Sequence, residues 1–280
     1  MTNSADASYE LERIKDAIRR ARDSDAEIPV WLPILGPLLA VIGLIAFLLS
    51  FLFFMIGTIQ PIGTTGPAVP PGPGVPPEAA PAFILVILSG LSIMMLAGFL
   101  GALITIYLVY VWLKRINEHF HRVRELYRNT AAYLDKLGYS DESRRMNDLL
   151  RDLEYRMGGE KSPVLWAILV FLIGILIWYV LYVVTDSLKK LGRGETDMTD
   201  IVNNMARQYN LGGFTYDVRS LERVPDRNVV LYIVLSIVTL GIFQIYWMYA
   251  VTVDLNKHFR DHREVEREFI QILENMKPKE

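Results

Sequence analysis

Cysteine is absent from all 280 residues, which excludes disulfides, thiolate nucleophiles and cysteine-ligated zinc or iron–sulfur centres. Histidine is nearly absent too, with four copies, so imidazole chemistry has few places to sit. No Lys or Arg interrupts TIQPIGTTGPAVPPGPGVPPEAAP at 58–81, and no Asp, Glu, Lys, Arg or His interrupts the interior of any long apolar run. Proton relays and coupling-ion sites ordinarily need such groups, or broken helices that offer backbone ligands. The formal net charge is −2, without the clustered basic face that a nucleic-acid partner requires. Glycine-rich phosphate loops and nucleophile–base constellations are missing as well. The chain therefore reads as a non-enzyme, and no catalytic residue, cofactor or nucleic-acid partner is expected.

What is abundant is oil. Hydrophobic residues make up 52% of the chain, pooled in four blocks at about 31–59, 82–112, 163–185 and 229–253, each long enough to be read as a membrane span. The first 27 residues are polar and lack the apolar core of a cleavable signal peptide, so the first block is expected as an uncleaved anchor. The expected fold is all-α: a polytopic membrane protein with about four transmembrane helices and amphipathic cytoplasmic helices. The alternative is two spans plus two re-entrant hairpins, with Gly174 and Gly241 near the middles of blocks three and four as possible turns. A lipid-exposed turn leaves backbone groups unsatisfied, which favours the four simple spans.

Of the 29 basic residues, 5 precede the first block, 11 lie between blocks two and three, 7 between blocks three and four, and 6 follow the last. The positive-inside bias then puts the N-terminus and 114–161 in the cytoplasm of a multi-pass protein of the cell membrane. It puts the Pro/Gly-rich loop at 60–81, an extended or polyproline-like segment, outside. The organisation follows: an amphipathic N-terminal helix (1–30), two transmembrane helices (31–113), a helical hairpin (114–161), two more transmembrane helices with an intervening 186–227 segment (162–253), and a C-terminal helix (254–280). The side of 186–227 depends on whether blocks three and four span or re-enter.

Two membrane exits align without a gap. IYLVYVWLKRINEHFHRVRE at 106–125 matches IYWMYAVTVDLNKHFRDHRE at 245–264, and YVVTDSLKK at 182–190 is a weaker third copy of YAVTVDLNK at 249–257. Aromatic residues collect at interfaces in general; the shared Asn-x-His-Phe and Arg-Glu are more specific. Each exit continues with steps of four and three. The first seam is Ile116, Phe120, Val123, Tyr127, Thr130, Leu134 and Leu137, and the second is Leu255, Phe259, His262, Glu266, Phe269, Leu273 and Met276. That spacing keeps one narrow stripe for helix pairing, as in coiled coils. His262 and Glu266 are polar intruders one turn apart and can pair with each other; in register, Glu266 would also face the Tyr127 hydroxyl. Gly138 ends the first helix, Ser140 or Asp141 can cap the next, and Met146, Leu149, Leu150, Leu153 and Met157 give that helix its apolar face. Leu11, Ile14, Ile18 and Ala21 repeat the spacing near the N-terminus.

His258 and His262 stand i, i+4, a metal-ligand separation, with Asp254 and Glu266 extending the row. Phe259 occupies the place where a His-Glu-x-x-His motif has its glutamate, so these residues are weak metal candidates and no metal is expected. His119 and His121 point to different faces. Ser236, Thr239 and Gln244 are the polar groups of the fourth block and suit interhelical hydrogen bonds. Ala97, Gly98, Gly101 and Ala102 form a close-packing face. Glu195, Asp197 and Asp200 lack EF-hand spacing and read as solvating and capping a short amphipathic helix with Met198, Ile201, Val202 and Met205 on one face.

VPDRNVVLYIVLSIVTLGIFQIYWMYAVTVDLNKHF, near the C-terminus, resembles an uncharacterised prokaryotic membrane family, domain of unknown function 4234. The residues that carry the resemblance are Arg227, Thr239, Gly241, Ile242, Phe243, Tyr246, Trp247, Leu255 and Asn256, with Phe243 where tyrosine is commoner. The resemblance implies a prokaryotic cell membrane and brings no activity. The function expected from the residues is a non-enzymatic interaction or oligomerisation platform built on paired cytoplasmic helices. Its partners would be the lipid bilayer and either a second copy or another membrane or cytoplasmic protein. The alternative is a small-solute transporter or channel component with a weakly polar mid-membrane site at Ser236, Thr239 and Gln244.

Overall fold

The computed structural model describes residues 4–58 and 79–279; the loop expected at 60–81 lies outside these, apart from its last residues. The described residues form nine α-helices: α1 (Ser4–Arg19), α2 (Ala21–Ser24), α3 (Leu32–Thr58), α4 (Ala79–Lys136), α5 (Ser140–Met157), α6 (Pro163–Leu172), α7 (Leu176–Gln208), α8 (Val229–Val238) and α9 (Ile242–Glu274). A 3₁₀ turn covers Val218–Glu222, and no strand occurs among the described residues. The chain divides into two compact units, one of 31–106 and the other of 1–30 with 107–280.

The first unit is an antiparallel pair, α3 against the apolar part of α4. Small residues let the two backbones approach: a Cβ on Gly101 would lie 2.6 Å from the Gly36 carbonyl oxygen, and one on Gly43 would lie 2.7 Å from the Ala97 Cβ. Of the close-packing face, Gly101 and Ala97 therefore meet α3, whereas Gly98 meets nothing within 4 Å. Two helices among the described residues are long and apolar enough to cross a membrane, at Leu32–Phe53 and Ile84–Lys136. The apolar part of the latter stops before Lys114 and Arg115.

The second unit corrects the expectation of four simple spans. Neither block three nor block four is one helix; each is a short helix that folds back on a long one. Trp166 of α6 stacks on Tyr179 of α7 at 4.9 Å. Tyr232 of α8 lies 5.3 Å from Trp247 of α9, a separation that a continuous helix would stretch to about 22 Å at 1.5 Å per residue. The fold-back has the helical-hairpin form of the alternative. The two hairpins are alike from their first residue: Ser162 Oγ accepts from Leu165 N–H, and Asn228 Oδ1 accepts from Leu231 N–H. Apolar length could not distinguish a span from a hairpin; the turn residues do. At 239–241 the chain reverses through Gly241 at φ +92°, a left-handed conformation that costs other residues energy.

Both turns are held by hydrogen bonds of their own, and at the second these reach the N–H groups of Leu240, Gly241, Ile242 and Phe243, which lessens the cost of an exposed reversal. Gly241 N–H donates to Ser236 C=O at 2.7 Å and Phe243 N–H donates to Thr239 Oγ1 at 2.9 Å. Ile173 and Leu176 N–H groups find Leu169 and Ile173 carbonyls at 2.7 and 2.9 Å.

Beyond the hairpins the long helices run side by side. Trp112–Thr252, Arg122–His262 and Tyr133–Leu273 are hydrogen-bonded pairs with one constant separation of 140 residues, so α4 and α9 are parallel and nearly in the register of the sequence repeat. Trp178 Nε1 donates to Gln244 Oε1 at 3.0 Å, holding α7 beside α9. The repeated asparagines tie down the connections: Asn117 donates to Lys161 C=O, and Asn256 both accepts from and donates to the Ile28 backbone at 2.8 and 2.7 Å.

Two smaller expectations also change. The residue at the α5 N-cap is Tyr139, without a side-chain cap bond, while Ser140 begins the helix and donates to Asp135. The short amphipathic helix expected around Met198–Met205 is instead the end of α7, a single helix of 33 residues. Its Met198, Ile201, Val202 and Met205 are buried, as are Met146, Leu150 and Leu153 of α5 that face the same core. Gly192 keeps α7 open to the 3₁₀ turn, because a Cβ there would lie 2.1 Å from the Leu221 carbonyl oxygen.

A buried histidine–carboxylate centre as candidate site

Where α4, α7 and α9 run together, seven ionisable side chains meet out of contact with water. His119 and Arg122 come from α4, Glu195 from α7, His258, His262 and Glu266 from α9, and Asp25 from the residue that closes α2. None is more than 3% exposed. The six on α4, α7 and α9 sit on the inward stripes of their helices, so the packing that buries Phe259 and Val123 buries them too.

The Nε2 atoms of three histidines converge on one carboxylate. His119 Nε2 lies 2.9 Å from Glu195 Oε1, His258 Nε2 lies 3.3 Å from Oε2, and His262 Nε2 lies 3.7 Å from Oε2. The opposite edges of two rings are held by carboxylates: His119 Nδ1 by Asp25 at 3.0 Å and His262 Nδ1 by Glu266 at 3.2 Å. Arg122 joins those carboxylates, with Asp25 at 2.6 Å and Glu266 also bound, and its Nε donates to Ser24 Oγ. His262 Nε2, Glu195 Oε2 and both ring nitrogens of His258 are buried without a hydrogen-bond partner.

The electrostatics follow from this crowding. Burial alone would raise the Asp25 carboxyl, but the charge and hydrogen bond of His119, with Arg122, hold it well below the usual carboxylate range. Burial likewise opposes ionisation of Glu195, and the three imidazoles overcome it, leaving its pKa well below normal. For Glu266 burial is outweighed by Arg122 and His262, and the pKa falls. His119 shows the converse: burial lowers its pKa, while the charges of Asp25 and Glu195 raise it to about 9.

The seam residues are placed as follows. Ile116, Phe120, Val123, Tyr127, Leu255, Phe259, His262 and Glu266 are all buried, and His119 packs on Phe259 at 4.8 Å between ring centroids. His262 and Glu266 pair with each other. Tyr127 does not reach Glu266; its hydroxyl meets Thr199 Oγ1 at 2.9 Å and the Glu195 carbonyl at 3.4 Å, because α7 fills the space between and Arg122 claims the carboxylate. Asp254 leaves the histidine row to pair with Arg227. His121 is outside the centre, on Glu160 at 2.8 Å. Of the polar groups of the fourth block, Ser236 and Thr239 donate to carbonyls one turn back, at 2.7 Å each, and Gln244 accepts from Trp178 of α7.

Glu195, Asp25 and Arg122 are the members that sequence reasoning missed. Glu195 was read as a solvating acid, yet it is fully buried, while Asp197 is exposed and Asp200 half-buried. A signal for it existed: carrying the third copy (182–190 against 249–257) onward in step sets residue 195 opposite His262. Asp25 and Arg122 had no such signal.

The residues that carry the family resemblance now have physical roles. Arg227 pairs with Asp254 across the base of the second hairpin, Thr239 and Gly241 make its turn, Trp247 is buried against Tyr232, and Asn256 clamps Ile28. No curated protein and no solved structure matches the chain. The second hairpin and the helix that supplies His258, His262 and Glu266, residues 227–273, match the family described as Domain of unknown function (DUF4234).

Proposed function

We propose that the protein is a non-enzymatic membrane platform. In this reading α3 and the apolar part of α4 span the bilayer, the two hairpins dip into it from the cytoplasmic face, and both termini, 114–161 and 186–227 share that face. The observation that carries the reading is where the α6–α9 part of the chain exposes its oil. Large apolar side chains open to solvent are concentrated in the hairpins, such as Phe171, Leu172, Ile173, Val238, Leu240 and Ile242, with Leu240 at the second turn 94% exposed. Such a patch asks for lipid or protein cover. A ten-residue arm such as α6 reaches about 15 Å, half of a hydrocarbon core of about 30 Å.

Sealing of the histidine–carboxylate centre supports a structural rather than a catalytic role, since a substrate would need a path to it. The pairing seam is used up inside one chain, so surfaces for a second copy or another protein are the polar outer faces, such as Arg144, Asp148 and Arg151 of α5. Those side chains are at least 75% exposed. Absence of cysteine allows a clean test. Single cysteines at 144, 219 and 277, in cells or oriented vesicles, should all react with a membrane-impermeant maleimide from the same side. Labelling of 219 from the side opposite to 144 would sink the arrangement.

A further inference from the structure

We propose that His119, His258, His262 and Glu195 form a closed four-coordinate site for a divalent transition metal of the zinc class, pinning α4, α7 and α9 together. The three Nε2 atoms stand 2.9, 3.3 and 3.7 Å from the Glu195 oxygens. Donors arranged tetrahedrally at 2.0–2.2 Å from zinc are about 3.3 Å apart, so each of the three nitrogens already stands near ligand spacing from that carboxylate. One His119, Glu195 and His258 donor triplet lies within 4.8 Å throughout.

Ring orientation supports the assignment. His119 and His262 present Nε2 inward and are gripped at Nδ1 by Asp25 and Glu266. Outer carboxylates of that kind fix the tautomer and aim the nitrogen lone pair of a ligating histidine. A purely hydrogen-bonded network accounts for those contacts but not for the remainder: His258, buried to 3% exposure, has no hydrogen-bond partner at either nitrogen, and His262 Nε2 and Glu195 Oε2 are also unpartnered. Buried polar atoms are ordinarily satisfied, and here the unsatisfied ones face one another.

Formal charge points the same way. With the imidazoles neutral, as ligation requires, Asp25, Glu195 and Glu266 contribute three negative charges and Arg122 one positive charge, a deficit of two in a region shut off from water. One divalent cation cancels it with all three imidazoles neutral. Three histidines and a carboxylate complete a four-coordinate shell with no open position, the arrangement of a structural rather than a catalytic ion. Binding there joins folding of three helices to metal uptake.

The test uses the full chain, purified in detergent without chelator. Elemental analysis should find close to one zinc ion per chain, and cobalt(II) substitution should give the ligand-field bands of a four-coordinate site. H258Q removes a ligand without breaking a hydrogen bond, so it should lose the metal and those bands while keeping its helical circular dichroism. D25N should keep all ligands but weaken zinc binding roughly 10- to 100-fold. For wild type, chelation should lower the unfolding temperature and added zinc restore it, a comparison that holds even if a variant fails to fold. Metal far below stoichiometry together with no thermal response to zinc overturns the proposal, as does an H258Q protein that retains the ion.

Discussion

Asn256 makes the most exacting test of the packing. Its amide clamps the Ile28 backbone twice, accepting from N–H at 2.8 Å and donating to C=O at 2.7 Å. Asn256 and Ile28 are 5% and 4% exposed, so N256A strands a donor and an acceptor away from water. Each stranded group costs about 1–3 kcal/mol, and the pair about 2–5 kcal/mol after partial relaxation. With about 2–4 °C per kcal/mol for chains of this order of size, the unfolding temperature should fall by roughly 5–15 °C. Asn117, aligned with Asn256 in the sequence, supplies an internal control, because it makes one bond, to the half-buried Lys161 carbonyl at 2.9 Å. N117A should cost about 0.5–1.5 kcal/mol. Differential scanning fluorimetry would rank the two, and hydrogen exchange should show the Ile28 amide deprotected only in N256A. Equal destabilisation, or an unchanged Ile28 amide, would refute the reasoning.

Other outcomes follow from single contacts. R122M leaves Asp25 and Glu266 without their buried guanidinium and should cost about 3–5 kcal/mol, read by chemical denaturation; a loss below about 1 kcal/mol would argue against a buried ion network. G192A adds a Cβ 2.1 Å from the Leu221 carbonyl oxygen, so despite the better helix propensity of alanine it should destabilise, by about 1–3 kcal/mol, and raise protease sensitivity near the 3₁₀ turn. Glu268 accepts from the Thr215 and Tyr216 amides and the Thr215 hydroxyl; burial opposes its ionisation, but these bonds prevail and lower its pKa from 4.5. A depressed carboxyl stabilises above its unfolded pKa and loses that contribution as pH falls through the folded value. The Tyr216 amide should therefore exchange slowly at neutral pH and open on acidification below 4.5, and E268Q should flatten that profile.

Some residues announced their places and others did not. Ile116, Phe120, Leu255 and Phe259 recur at steps that put them on one helix face, and burial of a face is a local consequence of periodicity. His262 and Glu266 were legible as intruders on that face for the same reason. Glu195 was not, because an acid in a stretch with other acids has the composition of a solvated surface; its burial depends on which helices pass beside it. Asp25 reaches the centre from a segment nearly a hundred residues from His119 in sequence, and no periodicity reports a contact of that span.

By itself the sequence determined the helices, the apolar blocks and which stripe of α4 and α9 turns inward, because spacing and hydropathy act through nearest neighbours along the chain. It left open whether 163–185 and 229–253 cross or fold back, since an apolar run serves either course. Only the tertiary structure decided that, through hydrogen-bonded turns at 173–175 and 239–241 while Trp166 and Tyr232 find partners on the returning helix. The same decision brings α7 beside α4 and α9, and so places Glu195 among three imidazoles. A contact made by helices from distant parts of the chain exists only after their packing has been chosen.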